Sequence, residues 1–88
     1  MIVRIPTPLR SYTAQAASVT VSESAATVDD VLANLDRQFP GIRFRIVNEQ
    51  GRLRQHMKVF VNAEMTRNLS TPVTDTDEIT VMQALSGG

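Results

Sequence analysis

Cysteine is absent from this 88-residue chain, which removes disulfides, thiolate zinc sites and cysteine nucleophiles together. One histidine, His56, remains, too little for a transition-metal site. No apolar run approaches the roughly 18 residues of a membrane span. The opening Met1-Ile2-Val3-Arg4-Ile5 is too short and too alternating for a signal peptide. An excess of charge of either sign is missing as well. Nine Lys and Arg balance nine Asp and Glu, so no global field draws the chain to nucleic acid or an anionic membrane. Nor is there a nucleophile beside a base, a phosphate-binding loop or a metal cluster, the parts an enzyme with its own chemistry needs. What is left is one small domain with 42% hydrophobic and 20% charged residues, ordinary values for a globular fold. The lack of cysteine fits a cytoplasmic location.

The patterns that are present predict an α+β fold of two layers. Ile2 to Ile5 alternate with Val3 and Ile5 inward, the period of a half-buried strand, until Pro6 and Pro8 end it. A second strand is expected at Ala17 to Ser22, with Ala17, Val19 and Val21 inward. Leu9 or Tyr12, in the loop between them, is placed to plug the end of the core. Val28, Val31, Leu32, Leu35 and Phe39 recur at the spacing of one helical face. Thr27 and Asp30 stand as a capping box, Asp29 and Asp30 suit the first turn, and Pro40-Gly41 ends the helix. Between Ile42 and Gln55 only a turn at Asn48 to Gly51 is legible. A third strand follows at Met57 to Asn62, a short edge segment at Met65 to Leu69, and a last strand at Glu78 to Gln83 with Ile79 and Val81 inward. One main helix therefore packs on a mixed sheet of four or five strands.

The end of the chain carries the functional information. Gly87 and Gly88 pack nothing and cost more backbone entropy to fix than any other pair, so stability does not explain them. A tail without Cβ atoms can thread a narrow channel and bring its carboxylate to a bound nucleotide. Glycine also has no stereocentre to lose when its carboxyl is activated. The stretch Val73-Thr74-Asp75-Thr76-Asp77-Glu78-Ile79-Thr80-Val81, closing through Leu85-Ser86-Gly87-Gly88, resembles the end of the ThiS/MoaD family of ubiquitin-like sulfur carriers. The Val61-Asn62 close of the third strand and the strand, strand, helix, strand order agree with that family's ubiquitin-like β-grasp. The opening Ile5-Pro6-Thr7-Pro8-Leu9-Arg10 is most similar to the carriers of cysteine and thio-metabolite or siderophore-type biosynthesis. The chain departs from many relatives at Thr76, where they have glycine, and near Gln83 and Ala84, where they have proline.

The resemblance implies a β-grasp domain over residues 1–83 and a flexible tail over residues 84–88. It implies a protein co-substrate with no active site and no tightly bound cofactor. A ubiquitin-activating-type adenylyltransferase, using ATP and Mg²⁺, would adenylate Gly88. A sulfur donor, either a persulfide of the rhodanese type or sulfide, would displace AMP and leave a thiocarboxylate. A sulfur-accepting synthase would then use that sulfur, and a JAMM-type metalloprotease is implied wherever a carrier is trimmed before activation. Leu85, Ser86 and Gly87 would thread the partner's active site. Phe60 and Met82, large apolar residues at outward strand positions, would form a partner-binding surface if their strands are neighbours. Asp75, Asp77 and Glu78 offer a second recognition element for an arginine-bearing partner, or a solvated acidic turn. Arg43, Arg45, Arg52, Arg54 and Lys58 are locally basic but lack interleaved aromatics, which reads as a solvated face rather than a nucleic-acid site. His56 reads as a surface residue. Two other readings stay open on the same tail: the small subunit of a molybdopterin synthase, and a ubiquitin-like modifier forming isopeptides through Gly88. A β-grasp interaction domain with an inert tail is the third class.

Overall fold

The computed structural model describes residues 1–84. The chain forms β1 (Ile2–Arg4), a 3-10 helix (Thr7–Thr13), β2 (Ser18–Thr20), α1 (Val28–Gln38), α2 (Ile42–Ile46), β3 (Met57–Val61), β4 (Glu64–Thr66) and β5 (Glu78–Gln83). The strands lie in the order β2-β1-β5-β3-β4. The central pair, β1 and β5, is parallel, and every other pair is antiparallel. A parallel pair needs a long crossover, and here everything between the first strand and the last supplies it.

The register gives each strand one face toward α1. Val3 lies opposite Ile79, and Val59 opposite Val81. These four are buried, as are Ile5 and Met57, and they meet Val28, Val31, Leu32 and Leu35 of α1. The helix starts where its cap demands. Asp30 N–H donates to Thr27 Oγ1 at 3.2 Å, and Asp30 Oδ2 accepts from the N–H groups of Thr27 (3.2 Å) and Ala26 (3.0 Å). Those bonds use backbone donors that the first helical turn would otherwise leave open. Leu9 is buried at the end of the core, with Tyr12 half-buried against it.

Four expectations change. Ala17 is exposed rather than inward, and β2 is limited to Ser18–Thr20. Ala14 (φ 53°) and Gln15 (φ 70°) turn the chain left-handedly just before it, so Ala17 contributes its carbonyl, accepting from Ile5 N–H at 2.8 Å, instead of its methyl. The third strand ends at Val61, not Asn62, because Asn62 turns to φ 54°. The edge strand is centred on Met65 and stops at Thr66, where Asn68 begins a turn by accepting Ser70 N–H on Oδ1 at 2.9 Å. Finally, α2 fills part of the unread stretch. Ile42 and Ile46, four residues apart, bury one side of it, and the Asp36 carboxylate accepts from Gly41 N–H (3.0 Å) and Arg43 N–H (3.1 Å) at its start. Gly41 sits at φ +98°, and a Cβ there would come within 3.2 Å of the Tyr12 ring. The expected turn follows, with Asn48 Oδ1 accepting from Gln50 and Arg52 N–H groups, both at 3.0 Å.

Asn62 fastens the end of β3 to the turn that feeds β5. Its Nδ2 donates to Asp77 Oδ1 at 2.9 Å, and its Oδ1 accepts Glu78 N–H at 3.0 Å. Asp77 Oδ2 accepts Thr74 N–H at 2.8 Å, closing the turn. Asparagine tolerates the left-handed backbone that alanine resists. Asn62→Ala therefore loses two hydrogen bonds and strains the backbone, which should lower stability by about 1–2 kcal/mol. Asn62→Gly, which keeps the backbone freedom, should lose less; urea unfolding midpoints measure both.

The bonds from Asn62 first, and from Thr74 N–H second, hold the Asp77 carboxyl below its usual pKa. A lowered folded-state pKa means stability that is present above the unfolded value and lost as pH falls through the folded one. The stability advantage of wild type over Asp77→Asn should accordingly narrow between about pH 5 and pH 2. An advantage that widens on acidification would show that the turn does not depend on this charge.

Candidate partner-binding face and the base of the tail

The sheet face turned away from α1 is made by the alternate residues of the same strands. Across its middle run Arg4, Thr80, Phe60 and Met65, each opposite the next in the ladder. Met82 lies opposite Lys58, so Phe60 and Met82 are diagonal neighbours on adjoining strands rather than a directly facing pair. That diagonal spans about 7–8 Å between backbones, within reach of long side chains. Phe60 is half-buried, while Met82 is 48% exposed and Met65 53% exposed. Ile2 adds a fourth apolar side chain, 40% exposed, at the far edge of β1. The structure thus brings Phe60 and Met82 onto one face and adds Met65 and Ile2. The signal for Met65 was in the sequence: once Glu64–Thr66 is a strand, period two sets Met65 on the same side as Phe60.

The three acidic residues have different surroundings. Glu78 pairs with Arg4 across the β1–β5 boundary, with Arg4 Nε donating to Oε1 at 2.6 Å and Nη2 to Oε2 at 3.4 Å. The Arg4 hydrogen bond is the main reason the Glu78 carboxyl lies below its usual pKa, and Glu78 raises that of Arg4 in return. Both side chains remain solvated, so the pair contributes little to stability. Asp77 is committed to Asn62 and Thr74, as above. Asp75 is exposed and makes no hydrogen bond among the described residues. These three sit at the start of β5, the end opposite to where the tail leaves.

At the other end, Ala84 N–H donates to His56 O at 2.7 Å, carrying the β3–β5 ladder one step past Gln83. Leu85, Ser86, Gly87 and Gly88 lie outside the described residues. A recess of about 730 Å³ flanks this exit on one side, lined by residues including Arg4, Pro6, Pro8, Arg10, Met82 and Ala84. A smaller one nearby, sharing Pro8 and Gln83 with the first, is lined by Pro8, Leu9, Arg45, His56 and Gln83. Neither lining includes a carboxylate. Among the described residues no cluster of three His, Asp or Glu is placed to hold a metal ion, and no helix is long and apolar enough to cross a membrane.

The basic group also differs from its sequence reading, because aromatics do interleave with it. Arg54 stacks over the Phe44 ring with Cζ 4.7 Å from its centroid, and Arg45 lies over Tyr12 at 6.0 Å. Phe44 stands between Arg43 and Arg45 in the sequence itself, inside the unread stretch, whereas Tyr12 comes from a distant part of the chain and only the fold brings it to Arg45. Arg43 is instead paired with Asp29 at 2.6 Å.

Comparison with known proteins fits this geometry. The sequence model of the ThiS family matches residues 3–88. The sulfur carrier protein CysO of Mycobacterium bovis is 34% identical over 91 residues, covering 98% of this chain and 96% of that protein. Among solved structures, one from a BexX/CysO complex of Amycolatopsis orientalis superposes with a TM-score of 0.89 at 34% identity, covering 99% of this chain and 98% of the other. CysO of Mycobacterium tuberculosis gives 0.87 at 31% identity, with 96% and 98% covered. SAMP1 of Haloferax volcanii gives 0.81 at 26%, with 100% and 98% covered. The five-stranded mixed sheet on its helix is the ubiquitin-like β-grasp, and the chain belongs to the ThiS family.

Proposed function

We propose that this protein carries sulfur as a thiocarboxylate on Gly88, for a biosynthetic enzyme of the cysteine or thio-metabolite type. The observation that carries this reading is the match to sulfur carriers through the last residue of a chain ending in Gly87-Gly88. The chemistry follows from the carboxylate. It is a poor electrophile because its leaving group would be oxide. In the proposed cycle one Gly88 oxygen attacks the α-phosphorus of ATP on an adenylyltransferase, and pyrophosphate leaves. Sulfide attacks the acyl carbon and AMP departs with the oxygen; a persulfide attacking instead gives an acyl disulfide, whose S–S bond a reducing thiol then cleaves to free the thiocarboxylate, the donor leaving as a mixed disulfide with that thiol. The product is an anionic, soft nucleophile that can attack an activated carbon of the acceptor substrate. The partners supply the catalytic groups; this chain supplies the acyl group and the surface that positions it.

The face of Phe60, Met65 and Met82 is the docking surface in this reading, since it adjoins Lys58 and Gln83 at the base of the tail. Apolar side chains at the centre of an interface carry most of its energy. A second reading is favoured by the similarity to SAMP1, a small archaeal modifier protein: the same activated glycine would form isopeptides with lysines.

Intact-mass measurement of the protein purified from its own host separates these readings. A fraction heavier by one oxygen exchanged for sulfur, mapped to the peptide ending at Gly88, is the expected result. Gly87-Gly88 remnants on lysines of other proteins would replace the carrier by a modifier, and an unaltered mass with no ATP-dependent activation would sink both. With a competent adenylyltransferase, Phe60→Asp should lower kcat/KM for activation by about thirtyfold or more, while its circular dichroism stays that of the wild type. Activation at the wild-type rate would remove this face from the interface.

A further inference from the structure

Basic residues gather around Ala84 at the border of the apolar face. Arg10 and Arg45 each line a recess that also includes Gln83, with His56 in the same recess as Arg45. Lys58 borders Met82 in the ladder, and Arg54 lies two residues before His56. Each of the three arginines is fixed by a single bond from Nε to the protein itself. Arg10 donates to Ile5 O at 3.1 Å, Arg45 to Tyr12 Oη at 2.7 Å, and Arg54 to Phe44 O at 2.8 Å. Stacking on Tyr12 and Phe44 limits the planes of the last two further. Their terminal nitrogens make no hydrogen bond among the described residues. A guanidinium ordered in this way loses less entropy on binding a carboxylate, and its remaining donors suit a bidentate contact.

The opposite end of the molecule has the opposite sign. Glu64, Asp75 and Asp77 lie where β3 ends, β4 begins and β5 starts, with Glu78 beside them paired to Arg4, so the charges of a chain of zero net charge are unevenly spread along β5. Any protein that receives the tail must present its channel mouth to the basic end, because Ala84 leaves the fold there.

The geometry points to a cationic collar beside Ala84, made by Arg10, Arg45, Arg54 and Lys58 with His56 among them, that docks on an acidic protein surface at the mouth of a partner's tail channel. This rests on the reading that the tail enters a partner. It adds the charge of that partner, and it assigns to the collar the rate and orientation of approach rather than the hold of the apolar face. Opposed charges of this kind accelerate encounter and lose effect as salt rises.

The test uses the full chain, labelled with ¹⁵N, at low salt, and two anionic probes of similar charge: hexaglutamate and hexathymidylate. Hexaglutamate should shift the resonances of Arg10, Arg45, Arg54, His56 and Lys58, including the arginine Nε–H signals, and the shifts should vanish at high salt. The Arg10→Gln, Arg45→Gln double variant should bind the peptide about five- to tenfold more weakly. The spectrum of the double variant reports whether it folds, and the wild-type map stands without it. Tighter binding of hexathymidylate on these residues would turn the collar into a nucleic-acid surface and overturn the proposal. Shifts elsewhere, or none, would overturn it as well. Sulfur loading at Gly88 is read by mass and is independent of this titration, so a chain that is loaded but indifferent to hexaglutamate loses the collar alone, and the converse loses the carrier alone.

Discussion

The pairing of the first strand with the last, in parallel and at the centre of the sheet, is the constraint from which the rest of the arrangement follows. With Val3 opposite Ile79 and Arg4 opposite Thr80, β1 and β5 run the same way, so the chain that follows β1 and the tail that follows β5 emerge at the same end. The 3-10 helix from Thr7 to Thr13 is therefore forced beside the tail, and its Pro8 and Arg10 line the recesses there. Because β3 runs antiparallel to β5, its start at Met57 and the preceding His56 arrive at that end too. A cluster of residues separated by more than seventy positions in sequence is thus a consequence of one strand pairing.

The same pairing fixes the chemistry of the exposed face. The two-residue period of β5 commits Ile79 and Val81 to the core, where burial of such side chains contributes about 1.5–3 kcal/mol each. Glu78, Thr80 and Met82 have no choice but the other side. Slipping the register by one residue would move the whole apolar set outward, so the core energy of Ile79 and Val81 is also what holds Met82 on the outer face beside Lys58. The core and the exposed apolar face are two sides of the same strand.

This division explains what was legible in the sequence. Wherever a period was backed by strong burial, as in α1 and β5, reading and structure agree, and the Thr27–Asp30 cap fixes where α1 begins. Failures fall where short-range chemistry overrides the period. Ile42-Arg43-Phe44-Arg45-Ile46 alternates like a strand, yet Asp36, six positions upstream of Ile42, caps it as a helix, and Gly41 supplies the left-handed turn before it. Ala17 obeys the strand alternation but lies beyond a left-handed pair that no hydrophobic pattern encodes. On the outer face, Phe60 and Met82 stood out as apolar residues at polar positions, and Met65 was hidden by a misplaced strand start. The Tyr12–Arg45 pair was invisible for a plainer reason: the two are 33 residues apart, and only the closure of the 3-10 helix against α2 brings them together.

Charge balance is the least informative number in such a sequence, since it sums over a molecule whose ends differ in sign. The acidic turn at the start of β5 is held by bonds that keep Asp77 and Glu78 ionised, and the basic residues near its end are held by Nε bonds and ring stacking. Asp77 and the arginines near Gln83 are each ordered by their own neighbours, and Arg4 between them holds Glu78. At six residues β5 spans about 20 Å, roughly twice the screening length at physiological salt. The two fields therefore do not cancel at a partner's surface, and a neutral chain can meet it with a definite sign. Under the proposed function that sign matters beside Ala84, where Arg10 and Arg45 each line a recess with Gln83.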